Sequence, residues 1–254
     1  MTTVTVLGTS AAWPAPGHAS SGYLLEEGDA TLVLDLGYGT LARLLALADV
    51  PRIGGVFVTH SHADHAADLH GLFRAVTLSR PPFEPPGVYG PADVLDRVGP
   101  LDGPGGGERV REGLRYRSID AGARLEIGPF RLQTFSLPHF VPNLGVRIEV
   151  GRNVIAYTGD TGPSDSLLPL ARDADLFLCE TTYPTPPSEP GPRLLLSASE
   201  AGRYAREAGV RRLVLTHFWP GEEREPYRRA AAREFPGPIE LASEGAVLSL
   251  DSSA

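Results

Sequence analysis

Short apolar runs recur along the chain, and several end abruptly at a glycine, a threonine or a histidine. Thr3–Leu7 predicts a strand closed by Gly8. Tyr23–Leu25 and Thr31–Leu34 flank the turn Glu27-Gly28-Asp29 and predict a hairpin. Leu41–Ala48 has helical spacing. Val56–Thr59 reads as a short buried strand. Asp68–Leu78 reads as a helix with Leu69, Leu72, Phe73 and Val76 on one face. Residues 81–107 are dense in proline and glycine and predict a surface excursion, with a strand at Val88 and a helix from Pro91 to Val98. Leu125–Ile127, Phe130–Phe135, Val146–Val150 and Val154–Tyr157 form a meander with glycine-containing turns. Beyond it come a helix at Leu167–Ala171, a strand at Leu176–Cys179, a helix at Ser197–Glu207, a strand at Leu213–Thr216, a helix at Tyr227–Glu234 and a last strand at Ala246–Leu250. No internal repeat is present. This order fits two sheets covered by outer helices, an α/β arrangement, better than one doubly wound sheet.

Composition narrows the picture. At 254 residues the chain can bury a large core, and layered α/β domains of this length often form one unit. The net charge of −8 argues against sequence-independent nucleic-acid binding, which depends on neutralising phosphates with basic side chains. All 23 basic residues are arginine, a bias that reflects a GC-rich genome rather than a function. The single cysteine, Cys179, rules out an intrachain disulfide and a multi-cysteine metal site, and its apolar neighbours predict a buried strand residue. No apolar run is long enough to span a membrane, and Met1-Thr2-Thr3-Val4 lacks the features of a secretion signal, so the expected location is the cytoplasm.

The candidate chemistry lies in His60-Ser61-His62-Ala63-Asp64-His65, directly after the Val56–Thr59 strand. Imidazole and carboxylate are the usual ligands of zinc-like ions. Two ligand pairs this close can serve two adjacent ions, His60 and His62 on one, Asp64 and His65 on the other. Three more residues stand at the ends of apolar runs. His139 follows Thr134–Pro138, Asp160 follows Ile155–Gly159, and His217 follows Leu213–Thr216. Each can project from a strand end into a shared cleft.

In type and order these residues resemble the metallo-β-lactamase superfamily, whose motifs are a His-x-His-x-Asp-His cluster, a later His, an Asp in a Gly-Asp context and a final His. The resemblance covers nearly the whole chain. It implies a four-layer αββα sandwich, with residues 1–254 forming a single hydrolase domain and a two-metal site at one edge of the sheets. By that resemblance His60, His62 and His139 hold one ion, Asp64, His65 and His217 hold the second, and Asp160 bridges. Two divalent ions are implied, zinc as first choice and manganese as second. They would activate a hydroxide nucleophile, with Asp64 and Asp160 as the catalytic carboxylates. Asp35 is expected to orient a ligand histidine through its free ring nitrogen. Asp68 is expected either to do the same or to cap a helix.

Val6–Pro14, Leu34–Thr40 and Thr158–Thr161 look like the phosphodiesterase branch, which includes the tRNA 3′-end endonuclease ribonuclease Z and atypical cyclic-nucleotide phosphodiesterases, some of them actinobacterial. An aspartate bridge suits phosphodiesters and argues against penicillin hydrolysis. Two departures stand out. Ribonuclease Z members carry a long arm between the third His and the bridging Asp, whereas here a plain hairpin joins His139 to Asp160, which argues against tRNA as substrate. Relatives also carry a His just before the Ser/Thr-Ala-x-Glu-Ala helix start, where this chain has Leu195; the change is expected to lower activity, to shift the substrate or to leave Arg193 to supply charge, and it leaves Glu180 without the histidine it would orient. The expected function is hydrolysis of a small phosphodiester such as a 3′,5′-cyclic nucleotide. The alternatives are a ribonuclease-Z-like nuclease, a lactonase or thioesterase, and a weakly active metal-binding domain. Dimers are common in the family, and no residue here requires one.

Overall fold

The computed structural model describes residues 1–188 and 191–250. The N-terminal half builds one sheet. Strands β1 (Thr2–Gly8), β2 (Gly22–Glu27) and β3 (Ala30–Leu34) form an antiparallel meander, and β4 (Gly55–Phe57), β5 (Gly87–Gly90) and β6 (Tyr116–Ser118) extend it in parallel. Helices α1 (Thr40–Leu45), α2 (Ala63–Ala66), α3 (Leu69–Leu78), α4 (Val94–Val98) and α5 (Gly106–Gly113) connect these strands. The second sheet opens with an antiparallel run, β7 (Arg124–Ile127), β8 (Phe130–Leu137), β9 (Asn143–Val150) and β10 (Asn153–Tyr157). It continues in parallel through β11 (Leu176–Glu180), β12 (Leu213–Thr216) and β13 (Ile239–Leu241), with α6 (Leu167–Ala171), α7 (Ala198–Glu207) and α8 (Glu225–Ala232) between them. Strand β14 (Val247–Ser249) returns to pair with β1.

The period-2 alternation of each strand sorts its side chains between two layers. Tyr23, Leu25, Leu32, Leu34 and Phe57 of the first sheet face Phe130, Val146, Ile148, Ile155, Leu176 and Leu178 of the second in a central core. The intervening residues point outward. Leu24, Val33, Val56 and Val88 pack under α1, α3, α4 and α5, and Ala156, Phe177, Cys179, Leu213 and Leu215 pack under α6, α7 and α8. The result is the four-layer αββα sandwich. Cys179 is a fully buried strand residue, as its neighbours predict.

One expectation needs correction. Residues 81–107 are not a surface excursion, because β5 pairs with both β4 and β6 and Val88 is fully buried. The proline- and glycine-rich stretches flank a strand of the sheet itself.

The chain places its polar residues with equal regularity. Strands β8, β10, β11 and β12 run in the same direction. The residues after their C-terminal ends therefore collect at one edge of the sandwich, the usual location of chemistry in open sheets. The loops after β1 and β12 meet there too, joined by a parallel bridge between Ser10 and Phe218.

Candidate metal centre

Seven side chains converge at this edge in two groups, His60, His62, His139 and Asp160 in one, Asp64, His65, His217 and Asp160 in the other. Within each group the donor atoms lie within 4.8 Å of one another. Asp160 belongs to both, and its two oxygens divide between them. Oδ2 lies 3.8 Å from His60 Nε2 and 3.6 Å from His139 Nε2, whereas Oδ1 lies 3.2 Å from His65 Nε2 and 3.3 Å from His217 Nε2.

Strand geometry puts the carboxylate there. Asp160 follows Gly159, whose φ of 58° is left-handed and whose Cβ position would lie 2.7 Å from that of Thr59. Glycine is required at that position by conformation and by space together. His217 has a φ of 62°, rare for a residue with a side chain. This strained turn aims its ring back toward Asp64, with Nε2 at 3.3 Å from Asp64 Oδ2.

The outer ring nitrogens reveal what the inner ones are for. His65 Nδ1 donates to Asp35 Oδ2 at 2.7 Å. His139 Nδ1 donates to the Leu194 carbonyl at 3.0 Å. Thr59 Oγ1 donates to Asp35 and so accepts from His60 Nδ1 at 3.0 Å. Thr182 Oγ1 likewise donates to Glu180 and accepts from His217 Nδ1 at 3.1 Å. In all four rings the outer nitrogen carries a proton and Nε2 is the atom turned to the centre, the one a metal ion would take. His62 turns Nδ1 inward, 3.2 Å from His60 Nε2 and 3.0 Å from His139 Nε2. The buried Asp160 Oδ1 makes no hydrogen bond among the described residues. Converging nitrogens and an orphaned carboxylate oxygen are costly unless something positive sits between them. The donor set fits two zinc-like ions.

Protonation differs across the centre. Burial first, then the neighbouring imidazoles, hold His60 well below its ordinary pKa, and His62 and His139 are lowered by burial too. Burial also opposes a charge on His65, but Asp160, Asp35 and Asp64 outweigh it and raise His65 well above the ordinary value. His217 is raised in the same way, by Asp160 and by its contact with Asp64 against burial. Asp64 and Asp160 are correspondingly lowered, because the facing imidazoles outweigh their burial.

The supporting residues divide. Asp35 orients His65 as expected, and it also accepts from the Thr59 amide at 2.7 Å and the Tyr157 hydroxyl at 2.7 Å. Asp68 takes the second of its two readings, capping a helix, though the helix is α1. It reaches no histidine, and it does not cap its own helix; its carboxylate accepts the Leu41 amide at 2.9 Å at the start of α1. Arg193 points away from the role proposed for it, since its guanidinium is held 2.5 Å from Glu200 Oε2 at the start of α7. Glu180 orients no histidine near Leu195. It accepts from the Thr161 and Leu196 amides at 3.0 Å, and from the Thr182 amide and hydroxyl at 3.0 Å. It thereby ties the segments after β10 and β11 to the one before α7 and acts on His217 through Thr182. Burial, then Asp160, push its pKa up to about 7.

Sequence reasoning missed four contacts: the Thr59 and Thr182 hydroxyls, the Leu194 carbonyl and the Ala12 amide, which donates to Asp64 Oδ2 at 2.7 Å. The two threonines had a signal, since both lie in threonine-tipped strand ends. The two backbone groups had none.

Residues 32–218 match the beta-lactamase superfamily domain, and the chain belongs to this superfamily. An uncharacterized protein of Mycobacterium leprae is 39% identical over 249 residues, covering 95% of this chain and 86% of that one. The probable metallo-hydrolase YhfI of Bacillus subtilis is 30% identical, covering 96% of this chain and 98% of YhfI. The YhfI crystal structure superposes with a TM-score of 0.86, covering 98% of this chain and 100% of that one at 28% identity. Ribonuclease Z of Myxococcus xanthus is 28% identical, with 97% of both chains covered, but its alignment runs over 302 positions. Ribonuclease Z therefore carries segments with no counterpart here. Among the described residues no helix is long and apolar enough to cross a membrane.

Proposed function

We propose that this chain is a dinuclear metal-dependent phosphodiesterase acting on a small phosphodiester, with a 3′,5′-cyclic nucleotide as first candidate. The observation that carries the reading is Asp160, one carboxylate with an oxygen turned to each histidine group. His60, His62 and His139 would hold one ion, Asp64, His65 and His217 the other, and Asp160 would join both. Bound there, two divalent ions supply Lewis-acid charge stabilisation and water activation. The protein's own part is to hold the ligands in register. Asp35 and the Leu194 carbonyl fix the rings of His65 and His139, the Ala12 amide fixes Asp64, and Glu180 fixes the Thr161 end of the bridging segment.

The substrate reading rests on what the edge lacks. His139 and Asp160 are joined by the β9–β10 hairpin, with only Gly151 and Arg152 at its turn. No arm reaches out to grip a distant part of a large RNA. A ribonuclease-Z-like activity is the second reading, favoured by the relative of that name. Leu195 lines a cavity of about 200 Å³ with Phe140, Tyr183 and Leu194. It offers no proton to a leaving oxygen, so turnover of substrates with poor leaving groups should be slow.

A panel assay tests the reading. Metal-loaded protein is offered cyclic AMP, 2′,3′-cyclic nucleotides, a chromogenic bis-phosphodiester, a lactone and precursor tRNA. Hydrolysis of one of the small phosphodiesters with negligible cleavage of precursor tRNA is expected. Efficient 3′ processing of precursor tRNA, or turnover of the lactone alone, would overturn it.

A further inference from the structure

The chain has two tryptophans, and the fold brings them together on the two loops that also carry Ala12 and His217. Trp13 lies in the loop after β1 and Trp219 in the loop after β12, with ring centroids 5.3 Å apart and planes inclined by 40°. Trp13 is 50% exposed. Both rings are chained to metal-centre residues. Trp13 follows Ala12, whose amide holds Asp64, and Trp219 stands two residues after His217.

The two loops are tied to each other and to the neighbouring chain. The Ala11 amide donates to the Phe218 carbonyl at 2.9 Å, and the Phe218 amide donates to the Thr9 carbonyl at 2.9 Å. Glu244 accepts the Ala19 amide at 2.7 Å and pairs with Arg43 at 2.7 Å, which pins the far end of the Trp13 loop. Arg224 lies over the Phe218 ring, 4.7 Å from its centroid. Beside Trp219 a cavity of about 230 Å³ is lined by Ser10, His18, Phe218 and Arg224.

An indole left half in water forgoes part of its burial energy, which a folding argument alone does not explain. Tied down in this way, a tryptophan pair with rings inclined by 40° offers an ordered aromatic face on which a planar ring can stack at little entropic cost. The opposite rim is different. Phe140 is 67% exposed and stands alone, its ring packed edge-on to His139 at 5.2 Å. It adjoins a cavity lined by Tyr183, Arg193 and Leu195, and among the described residues no Phe, Tyr or Trp ring is paired with it.

We propose that the Trp13–Trp219 pair is the specificity-determining platform of this site, stacking the heteroaromatic base of a nucleotide whose phosphodiester lies at the metal centre. The assignment rests on the phosphodiesterase reading for the phosphate and on the tryptophan geometry for the base. Trp13 and Trp219 touch the base, not the reacting atoms, so their effect falls on KM.

Two measurements test it. The first compares cyclic AMP with a base-free ribose 3′,5′-cyclic phosphate in wild type, Trp13→Ala, Trp13→Phe and Phe140→Leu. Loss of one stacked base corresponds to about 5- to 150-fold. Trp13→Ala is expected to raise KM for cyclic AMP by that factor and to affect the base-free substrate far less, with Trp13→Phe recovering most of the loss. Equal effects on both substrates, no effect on either, or a base-dependent loss in Phe140→Leu instead would overturn the proposal. The second measurement needs no turnover. Because both tryptophans are in the platform, intrinsic fluorescence reports on it alone. Titrating with adenosine 5′-monophosphate should quench the emission saturably, and ribose 5-phosphate should not. Quenching absent with both ligands, or equal with both, removes the platform whatever the protein hydrolyses. If quenching is selective but no phosphodiester is turned over, the platform stands and the reaction assigned to the centre falls.

Discussion

The two halves of the candidate metal centre share Asp160 and differ in the charge that surrounds their histidines. His60 and His139 are held by a threonine hydroxyl and a backbone carbonyl, and burial lowers the pKa of both and of His62. Asp64, His65 and His217 are buried among carboxylates, and His65 and His217 are raised above the ordinary imidazole value. An ion entering the first half meets lone pairs. In the second half it must displace protons that Asp35, Asp64 and Asp160 favour. Protons should therefore compete with metal more strongly in the second half than in the first.

The largest effect should come from removing the residue both halves share. Asp160→Ala is expected to lower turnover by about 10³-fold or more and to reduce the bound metal to at most one ion per chain. Parallel assays and elemental analysis check this, with circular dichroism to confirm folding. Unchanged activity would sink the bridging assignment.

Next come the residues that orient the second half. Removing a hydrogen-bond partner of a ligand histidine typically costs about 10–100-fold in metal affinity. Asp35→Ala should approach the upper end, because it frees His65 Nδ1 and leaves the Thr59 and Tyr157 donors unpaired. Thr182→Val, which strips only a hydroxyl from His217, should cost less. Competitive titration with a chromophoric chelator would rank the two. Equal losses from both would deny that charge, rather than tautomer alone, organises this half.

Acid should separate the halves. In the metal-free protein the raised values of His65 and His217 contribute stability below the ordinary imidazole range, lost as pH rises through their folded-state values. For metal the sign reverses, since protons compete more strongly as pH falls. Metal content should drop from two ions to one as pH is lowered, before the first half releases its own. Asp64→Ala should keep the acid-resistant ion, and His62→Ala only the acid-labile one. A single cooperative loss of both ions would contradict the asymmetry.

The smallest effect expected is at Leu195. A positioned general acid contributes about 10²–10⁴-fold. Leu195→His should gain at most about tenfold of that, because the Glu180 carboxylate already accepts from Thr161, Thr182 and Leu196 and cannot orient a new ring. The gain should be larger for cyclic AMP than for a nitrophenyl ester, whose leaving group needs less protonation. No gain on either substrate in a folded, two-metal variant would show that Leu195 does not face the leaving oxygen.

The convergence of the candidate metal ligands was legible because the His60–His65 cluster, His139, Asp160 and His217 each follow an apolar run, and runs of that kind are strands whose ends the fold gathers at one edge. His60, Asp160 and His217 announce themselves in this way. What was not legible was built from atoms without a residue type, the Leu194 carbonyl and the Ala12 amide, or from contacts distant in sequence, such as Asp68 at the start of α1. Glycine and proline misled in residues 81–107. They signal turns locally, but the short strand Gly87–Gly90 is fixed by its neighbours on both sides, and α5 begins inside a glycine run with little helix propensity of its own. Strands β6 and β13, three residues each, carry too little pattern to read.

The most direct test is anomalous diffraction from crystals loaded with zinc. Two peaks about 3.5–4 Å apart are expected, one beside His60, His62 and His139 and the other beside Asp64, His65 and His217, with the Asp160 carboxylate between them. A single peak at full loading, or two peaks with Asp160 bound to only one, would contradict the account.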